Sequence, residues 1–375
     1  MRNFLTILKR YKTSSILNIL GLAVAFASLY IILVQVHYDL TYNKAIPDCE
    51  RVYQVELFDD YSGKYSAWMS RPMAEAFMRD CPVIEKYGTG YIGDMENIAY
   101  DCCMDKEGSL AEFRVGMGRI STQWLDVFGY RAVSGSFSEL EKPKSIAVSQ
   151  NIAKKLGLKV GDHIYNGLKV DPNKMSMVVA IYNDLPVQNT DLNNIDMVWN
   201  LGNQSMDSWS EWSYNYWIKL RSTADVQAFY DYANKKYREI LAQEGKSEEE
   251  IAKAIEETKL RIIPITDTYF ATDSEVPGRS GNKTTTFTLL SIAILVVLIA
   301  LINFINFFFA LVPVRIRSVN TRKVFGCSAA RLRADFILES IGIIIISLLL
   351  SWACVDIIKS STIANYIGAP LNLSK

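Results

Sequence analysis

The sequence is poor in the residues that carry catalytic or metal chemistry. It has two histidines, His37 and His163, and six cysteines, with no C-x-x-C or Cys–His metal spacing. Zinc sites need such spacings, so no metal is expected. Neither histidine has a sequence neighbour that stands out as a Cys or Ser nucleophile, which leaves no evident nucleophile–base pair. Lysine plus arginine (40) equal aspartate plus glutamate (40), so no global positive charge argues for nucleic acid. The runs Asp59-Asp60 and Glu248-Glu249-Glu250 read as solvated faces.

A phosphate-binding loop is also missing. The stretch Pro277–Thr286, "PGRSGNKTTT", has two glycines, a lysine and threonines. A P-loop requires G-x-x-x-x-G-K-[ST], so that backbone N–H groups cradle the phosphates while the lysine reaches the outer ones. Here Asn282 separates Gly281 from Lys283, and only Arg279 and Ser280 separate the two glycines. The stretch reads as a polar collar before an apolar run. The chain is not expected to be an enzyme.

What is present is hydrophobic length. Ile16–Val36, Phe287–Val312 and Phe336–Val355 are each long enough for a membrane helix, which takes about 20 residues. The first run follows Arg2, Lys9, Arg10 and Lys12, as a signal peptide would. Its apolar stretch nevertheless continues well beyond the Ala23-Val24-Ala25 site, so it reads as an uncleaved anchor. Positive charge sets the orientation. Residues 1–13 carry four basic and no acidic groups, and Arg315, Arg317, Arg322, Lys323, Arg331 and Arg333 lie between the second and third runs. Both segments are predicted to be cytoplasmic.

The predicted fold is a membrane protein with three transmembrane α-helices and a large α+β extracytoplasmic domain between the first and second. The expected boundaries are a cytoplasmic N-terminus 1–13, helix 14–37, an external domain 38–284 and helix 285–312. A cytoplasmic loop 313–334, helix 335–357 and an external stub 358–375 follow. The external domain is expected to form two subdomains. Strands are predicted at Arg51–Phe58, Glu112–Ile120, Ser145–Ser149, Met175–Ile181, Tyr214–Leu220 and Leu260–Ile265 from alternating apolar residues. Helices are predicted at Pro72–Arg79, Gln150–Leu156 (ended by Gly157), Ala224–Ala242 and Ser247–Thr258. Cys49, Cys81, Cys102 and Cys103 fall in this domain, where disulfides are permitted. Trp209, Trp212, Tyr214, Tyr216 and Trp217 form a dense group that fits core packing, with a partner surface as the alternative.

Within the membrane runs, Ser14, Asn18, Gly21, Ala25 and Ser28 recur every three or four residues and share one helix face. Small residues let membrane helices approach closely. Asn303 and Asn306 lie three apart on the second run, where amides seek partners on neighbouring helices. In the connector, Ser328 is a plausible N-cap for a helix entering the third run.

The order of these parts resembles the FtsX-like permeases of MacB-type, or mechanotransmission, ABC transporters. The resemblance is carried by "NILGLAVAFAS" (18–28), "WLDVFGYRAVSGSFSE" (124–139), "INFIN" (302–306) and "RKVFGCSAARLRADFILES" (322–340). It implies a MacB-like periplasmic domain in the inner membrane and a permease that binds no cofactor itself, with ATP and Mg on a separate P-loop ATPase. It further implies a dimer of permease copies or halves, a periplasmic adaptor in some relatives, and export or extraction of a substrate. Arg322, Lys323, Gly326 and Ser328 are the docking residues by this analogy, with Arg315, Arg317 and Arg331 beside them. Ser318 and Asn320 stand where relatives often carry an acidic residue and a glycine. The family's fourth span has no counterpart, so the resemblance implies the first part of a longer permease. A division-type FtsX-like regulator of a cell-wall hydrolase is the alternative, and a membrane-tethered hydrolase a weaker one.

The charge distribution yields a test. Single cysteines introduced at residues 200 and 370 are expected to react with an impermeant thiol reagent from outside, and one at 320 only after lysis. Labelling at 200 from the cytoplasm alone contradicts the topology.

Overall fold

The computed structural model describes residues 12–90, 99–106, 109–185, 190, 192, 195–275, 280–362, 364, 367, 369 and 371. The chain divides into two units, Thr41–Asn282 and a unit made of Met1–Leu40 with Lys283–Lys375. The second unit begins with α1 (Lys12–Leu40), which extends past the expected 14–37 at both ends.

In the unit Thr41–Asn282, β1 (Val52–Asp59), β2 (Lys64–Ser66) and β3 (Trp68–Met69) precede α2 (Arg71–Met78). β4 (Ile84–Gly90), β5 (Ala99–Lys106) and β6 (Ser109–Ile120) lead to α3 (Thr122–Val127). Next come β7 (Ala132–Gly135), β8 (Ser145–Ser149), α4 (Gln150–Leu156), β9 (His163–Asn166), β10 (Met175–Tyr182) and β11 (Met197–Asn200). β12 (Tyr214–Leu220), α5 (Val226–Gln243), α6 (Glu248–Thr258), β13 (Arg261–Pro264) and β14 (Ser274–Glu275) complete it.

Among the described residues, eleven strands follow the order β11-β8-β10-β9-β5-β6-β4-β12-β1-β2-β14, and β13, β3 and β7 pair with β1, β12 and β10 beside it. β11 also pairs with β6, so that β11-β8-β10-β9-β5-β6 closes on itself. Two subdomains were expected from the sequence; the unit has two halves, each with a core of its own, and strand pairing continues from one to the other. The joint between β4 and β6 is narrow, with Gly90 facing Ile120 as its one registered pair. One half buries Met69, Phe77, Tyr216 and Phe229, the other Cys102, Ile146, Val178 and Met197. A third cluster draws on both halves: Val52 and Trp217 from one, Trp124, Phe128 and Tyr182 from the other. The Trp124 ring lies 4.7 Å from that of Phe128 and 6.4 Å from that of Trp217. This third cluster joins the two halves.

Local chemistry explains the well-placed elements. Ser149 Oγ accepts the Ile152 N–H at the start of α4, and Gly157 ends that helix in the left-handed region at φ 64°. Ser247 and Glu250 form a capping box at the start of α6. Buried Glu56 and Lys219 each have an ion-pair partner. Glu56, fully buried on β1, accepts from Arg261 at 2.6 Å and from the Ser274 hydroxyl, and Arg261 also reaches Asp273. Lys219 and then Arg51 hold the Asp48 carboxyl below its usual range. All six cysteines are unpaired, and burial pushes the Cys102 thiol up to about 11. Of the aromatic group, Tyr214, Tyr216 and Trp217 are buried core on β12, whereas Trp209 and Trp212 are about half exposed.

The apolar unit is completed by α7 (Lys283–Val324) and α8 (Ala329–Lys359). Together with α1, these are three helices long and apolar enough to cross a membrane. Their packing uses a buried row on α8, Ile343, Ser347, Ser351 and Val355, spaced by four. Ser347 Oγ donates to the Ile19 carbonyl of α1 at 3.2 Å. Leu22 and Ala25 of α1 share a cluster with Ala300 and Phe307 of α7 and Ile343 of α8.

All three long helices extend past their expected bounds, the second by the most. The second helix does not end at Val312, where hydrophobicity does; it continues for a total of 42 residues, with Pro313 inside it. Proline removes one N–H donor and frees the carbonyl four residues earlier. That carbonyl, on Phe309, lies at the end of the apolar span Lys283–Ala310, where interfacial water can satisfy it. No glycine follows until Gly326. The expected loop 313–334 is therefore mostly helix.

The aromatic core depends on glycine. A Cβ at Gly88 would lie 2.5 Å from the Trp124 Cα and 2.7 Å from its backbone nitrogen. Gly88→Ala is expected to destabilise the Thr41–Asn282 unit by about 1–3 kcal/mol, because backbone must move. The measurement is thermal unfolding followed by tryptophan fluorescence. An unchanged midpoint contradicts this account of the joint.

Candidate functional site

The turn between α7 and α8 is short because of two residues. Gly326 adopts φ 82°, a left-handed conformation that costs glycine little. Its N–H donates to Lys323 O at 3.0 Å, and the Cys327 N–H donates to Arg322 O at 2.9 Å. These two bonds make a Schellman close, which satisfies carbonyls at the end of α7. Ser328 then caps α8, its Oγ accepting from the Arg331 N–H at 3.3 Å. Four residues, Phe325–Ser328, remain between the helices.

An ion pair spans this hairpin, Arg322 to Asp335 at 3.0 Å. Both groups are part-exposed, so the pair contributes modestly to stability and mainly fixes geometry. Val324 and Phe325 at the tip are each 84% exposed. Lys323, Gly326, Ser328 and Arg331 are exposed around them. The result is an apolar tip with a basic rim. The side chains of Arg315 and Arg317 lie outside the described residues, as does that of Ser14.

At the other end of the apolar unit, a polar group ties α1 to α7. Buried Asp39 accepts from Thr286 Oγ1 at 2.6 Å and from Gln35 Nε2 at 2.7 Å. Gln35 Oε1 in turn accepts the Ala369 N–H at 3.0 Å. The unit Thr41–Asn282 has a tie of its own between the same two chain segments. Tyr42 stacks on Tyr269 with ring centroids 4.1 Å apart, and the Gly281 N–H donates to the Tyr269 carbonyl at 2.7 Å. Asn43 Nδ2 donates to the Ile265 carbonyl at 2.9 Å. Thus Asp39 and Thr286 are tied within one unit, and Tyr42 and Gly281 both meet Tyr269 within the other.

Sequence reasoning missed this tie. Its signals were present: Gln35 and Asp39 four apart on one helix, and a threonine run at the start of another. Thr286, which resembled the tail of a phosphate loop, gives its hydroxyl to a carboxylate.

The residues expected at helix contacts are placed as follows. Asn18 and Ala25 are buried, Ser28 is half-buried, and Gly21, Asn303 and Asn306 are exposed. A cleft of about 270 Å³ between α1 and α7 brings Asn18, Gly21, Asn303 and Asn306 together. Among the described residues, no group of three or more His, Cys, Asp or Glu side chains is arranged to hold a metal.

The Asp39 tie makes a quantitative statement. A hydrogen bond to a carboxylate contributes about 1.5–3 kcal/mol. Thr286→Val, which keeps shape and removes the hydroxyl, is expected to lower the stability of the detergent-solubilised chain by about that amount. Thr284→Val, on the exposed side of the helix, should stay within about 0.5 kcal/mol. Equal unfolding midpoints for the two variants contradict the tie.

The family model described as MacB-like periplasmic core domain matches residues 15–236. A solved domain of a protein named as a permease, from Porphyromonas gingivalis, is similar at 15% identity and a TM-score of 0.44. It covers 65% of this chain and 98% of its own. The extracellular domain of the noncanonic ABC-type transporter YknZ from Gram-positive bacteria is similar at 10% identity and a TM-score of 0.34. It covers 56% of this chain and 99% of its own. The search of curated proteins matched none. Because the family model spans more than half of its 375 residues, the chain belongs to the family with a MacB-like periplasmic core domain.

Proposed function

We propose that this chain is the permease subunit of an ABC transporter, carrying the motion of a separate ATPase across the inner membrane to its external domain. The observation that carries the reading is α7. This single helix holds the Asp39 tie near its first residues and the Schellman close at its last. At 1.5 Å per residue it is about 63 Å long, roughly twice the hydrocarbon thickness. A displacement at the hairpin passes along such a helix to the segment fastened at Asp39 and Tyr269. The family supplies the external domain, and the ATPase is the partner that such a permease implies.

In this reading the hairpin tip is the docking surface. Aromatic residues and arginine are enriched at protein interfaces. Phe325 is the anchor, Lys323 and Arg331 are the rim, and Arg322 holds the two helices in register through Asp335. Work done by the ATPase serves to export or extract a substrate on the external side.

The test uses the chain co-expressed with its cognate ATPase. Phe325→Asp and Gly326→Pro are expected to reduce co-purification of the ATPase at least about tenfold, the loss of one anchor contact. Arg322→Ala is expected to leave binding partly intact while uncoupling ATP hydrolysis from movement of the external domain. Membrane insertion should survive in all three. If all three variants keep wild-type association and ATP-dependent movement, the hairpin is only a connector.

A further inference from the structure

The link between β11 and β12 displays two tryptophans on a loop that is itself firmly held. Trp209 and Trp212 are 50% and 49% exposed, and neither indole has a ring, cation or hydrogen-bond partner among the described residues. Beneath them, Arg71 of α2, only 5% exposed, donates from Nη1 to the Gly202 carbonyl at 2.9 Å and the Gln204 carbonyl at 2.6 Å. Tyr214 Oη lies 2.9 Å from Ser205 Oγ and 3.3 Å from Glu211 Oε1. Successive turns are closed by the N–H groups of Gln204, Met206 and Ser208. A loop fixed in this way has little conformational entropy left to lose when something binds to it.

The surroundings of the rings define the ligand. From Gly202 to Ser213 the chain has four serines, Asn203, Gln204, Asp207 and Glu211, and no lysine or arginine. A single-stranded nucleic acid also stacks on aromatic rings, but it needs cations along its backbone, and this loop offers carboxylates. The core of a protein interface is depleted in serine, aspartate and glutamate, which here flank both rings. A neutral sugar fits both features. One face of a pyranose ring is made of C–H groups, whose partial positive charge suits the negative face of an indole. Its hydroxyls both donate and accept, as the amides, hydroxyls and carboxylates beside the rings require.

Position agrees with a large ligand. Lys219, near the far end of β12, faces Val52 and pairs with Asp48 at 2.6 Å, close to where the chain enters the unit Thr41–Asn282. Tyr214 lies roughly 17 Å along the strand from Lys219, at about 3.3 Å per residue. The loop is therefore at the opposite end of the strand from the entering chain. Two rings three residues apart suit a chain of sugars better than a single one.

We infer that the loop 201–213 is a carbohydrate-binding surface, on which Trp209 and Trp212 stack against the pyranose rings of a neutral β-1,4-linked glycan. The surface stands on this loop alone, so the failure of ATPase docking at the hairpin leaves it untouched, and the reverse holds.

The experiment is calorimetric titration of the full chain in lipid nanodiscs with chitotetraose, a neutral β-1,4-linked oligosaccharide. Binding is expected with a Kd of about 1 mM or below. Trp209→Ala and Trp212→Ala are each expected to weaken it about tenfold, the loss of one aromatic anchor. Their melting temperatures should match wild type, because both side chains are surface-exposed. Trp212→Phe, which keeps an aromatic face, is expected to fall between wild type and Trp212→Ala. Tetralysine is the counter-probe for a cation held by the rings and carboxylates. Absence of chitotetraose binding, or binding unchanged in both alanine variants, overturns the proposal. So does tetralysine binding at the same rings more tightly than chitotetraose. A photo-crosslinker at Ser210 that joins the loop to a protein in intact cells, with no chitotetraose bound by the purified chain, makes the occupant a protein instead.

Discussion

Hydrocarbon offers no water to a peptide group, so each backbone N–H and C=O within it must be bonded along its own helix. The long apolar helices and the brevity of the turn between α7 and α8 follow from that constraint. A helix that must stay intact through the apolar layer is already nucleated when it leaves, and continuing it costs less than stopping without a cap. The sequence Val314–Val324 contains no glycine or proline to stop it. It stops where Gly326 permits a Schellman close and restarts where Ser328 provides a cap.

The same economy of polar groups places the tie at the other end. Asp39 sits on the last turn of α1, where its carboxylate needs donors, and Gln35 and Thr286 provide them. In the unit Thr41–Asn282, Gly281 has no side chain because an added Cβ would lie 2.2 Å from the Tyr269 ring. Close approach at that point lets a backbone N–H reach the Tyr269 carbonyl. Within this unit the segments that enter and leave it, at Tyr42 and Gly281, both meet Tyr269.

Much of this was legible from residue order. Strands Ser145–Ser149 and Tyr214–Leu220 and helix Gln150–Leu156 lie where apolar patterning and a terminal glycine put them. The three apolar helices were legible from length alone. β4 was not, because Gly88 and Gly90 weaken its apolar alternation, and they are there to seat Trp124. β11, four residues long, is too short to show a period. The course of α7 past Val312 was hidden because hydropathy reports where the membrane ends, not where the helix does. At the candidate sites, Gly326 and Ser328 could be read locally. The partners of Asp39 and Tyr269 depend on contacts between segments far apart in sequence, which no local pattern encodes.

The central claim is that α7 is one continuous helix from its tie at Thr286 to its close at Gly326. Thr288 and Lys323 are both exposed on it. With the native cysteines replaced and nitroxide labels at these two positions, double electron–electron resonance in nanodiscs measures the distance directly. A continuous helix predicts a single narrow distribution near 52 Å, at about 1.5 Å per residue. A broad distribution centred below about 45 Å, as for a chain that turns after Val312, would contradict the account.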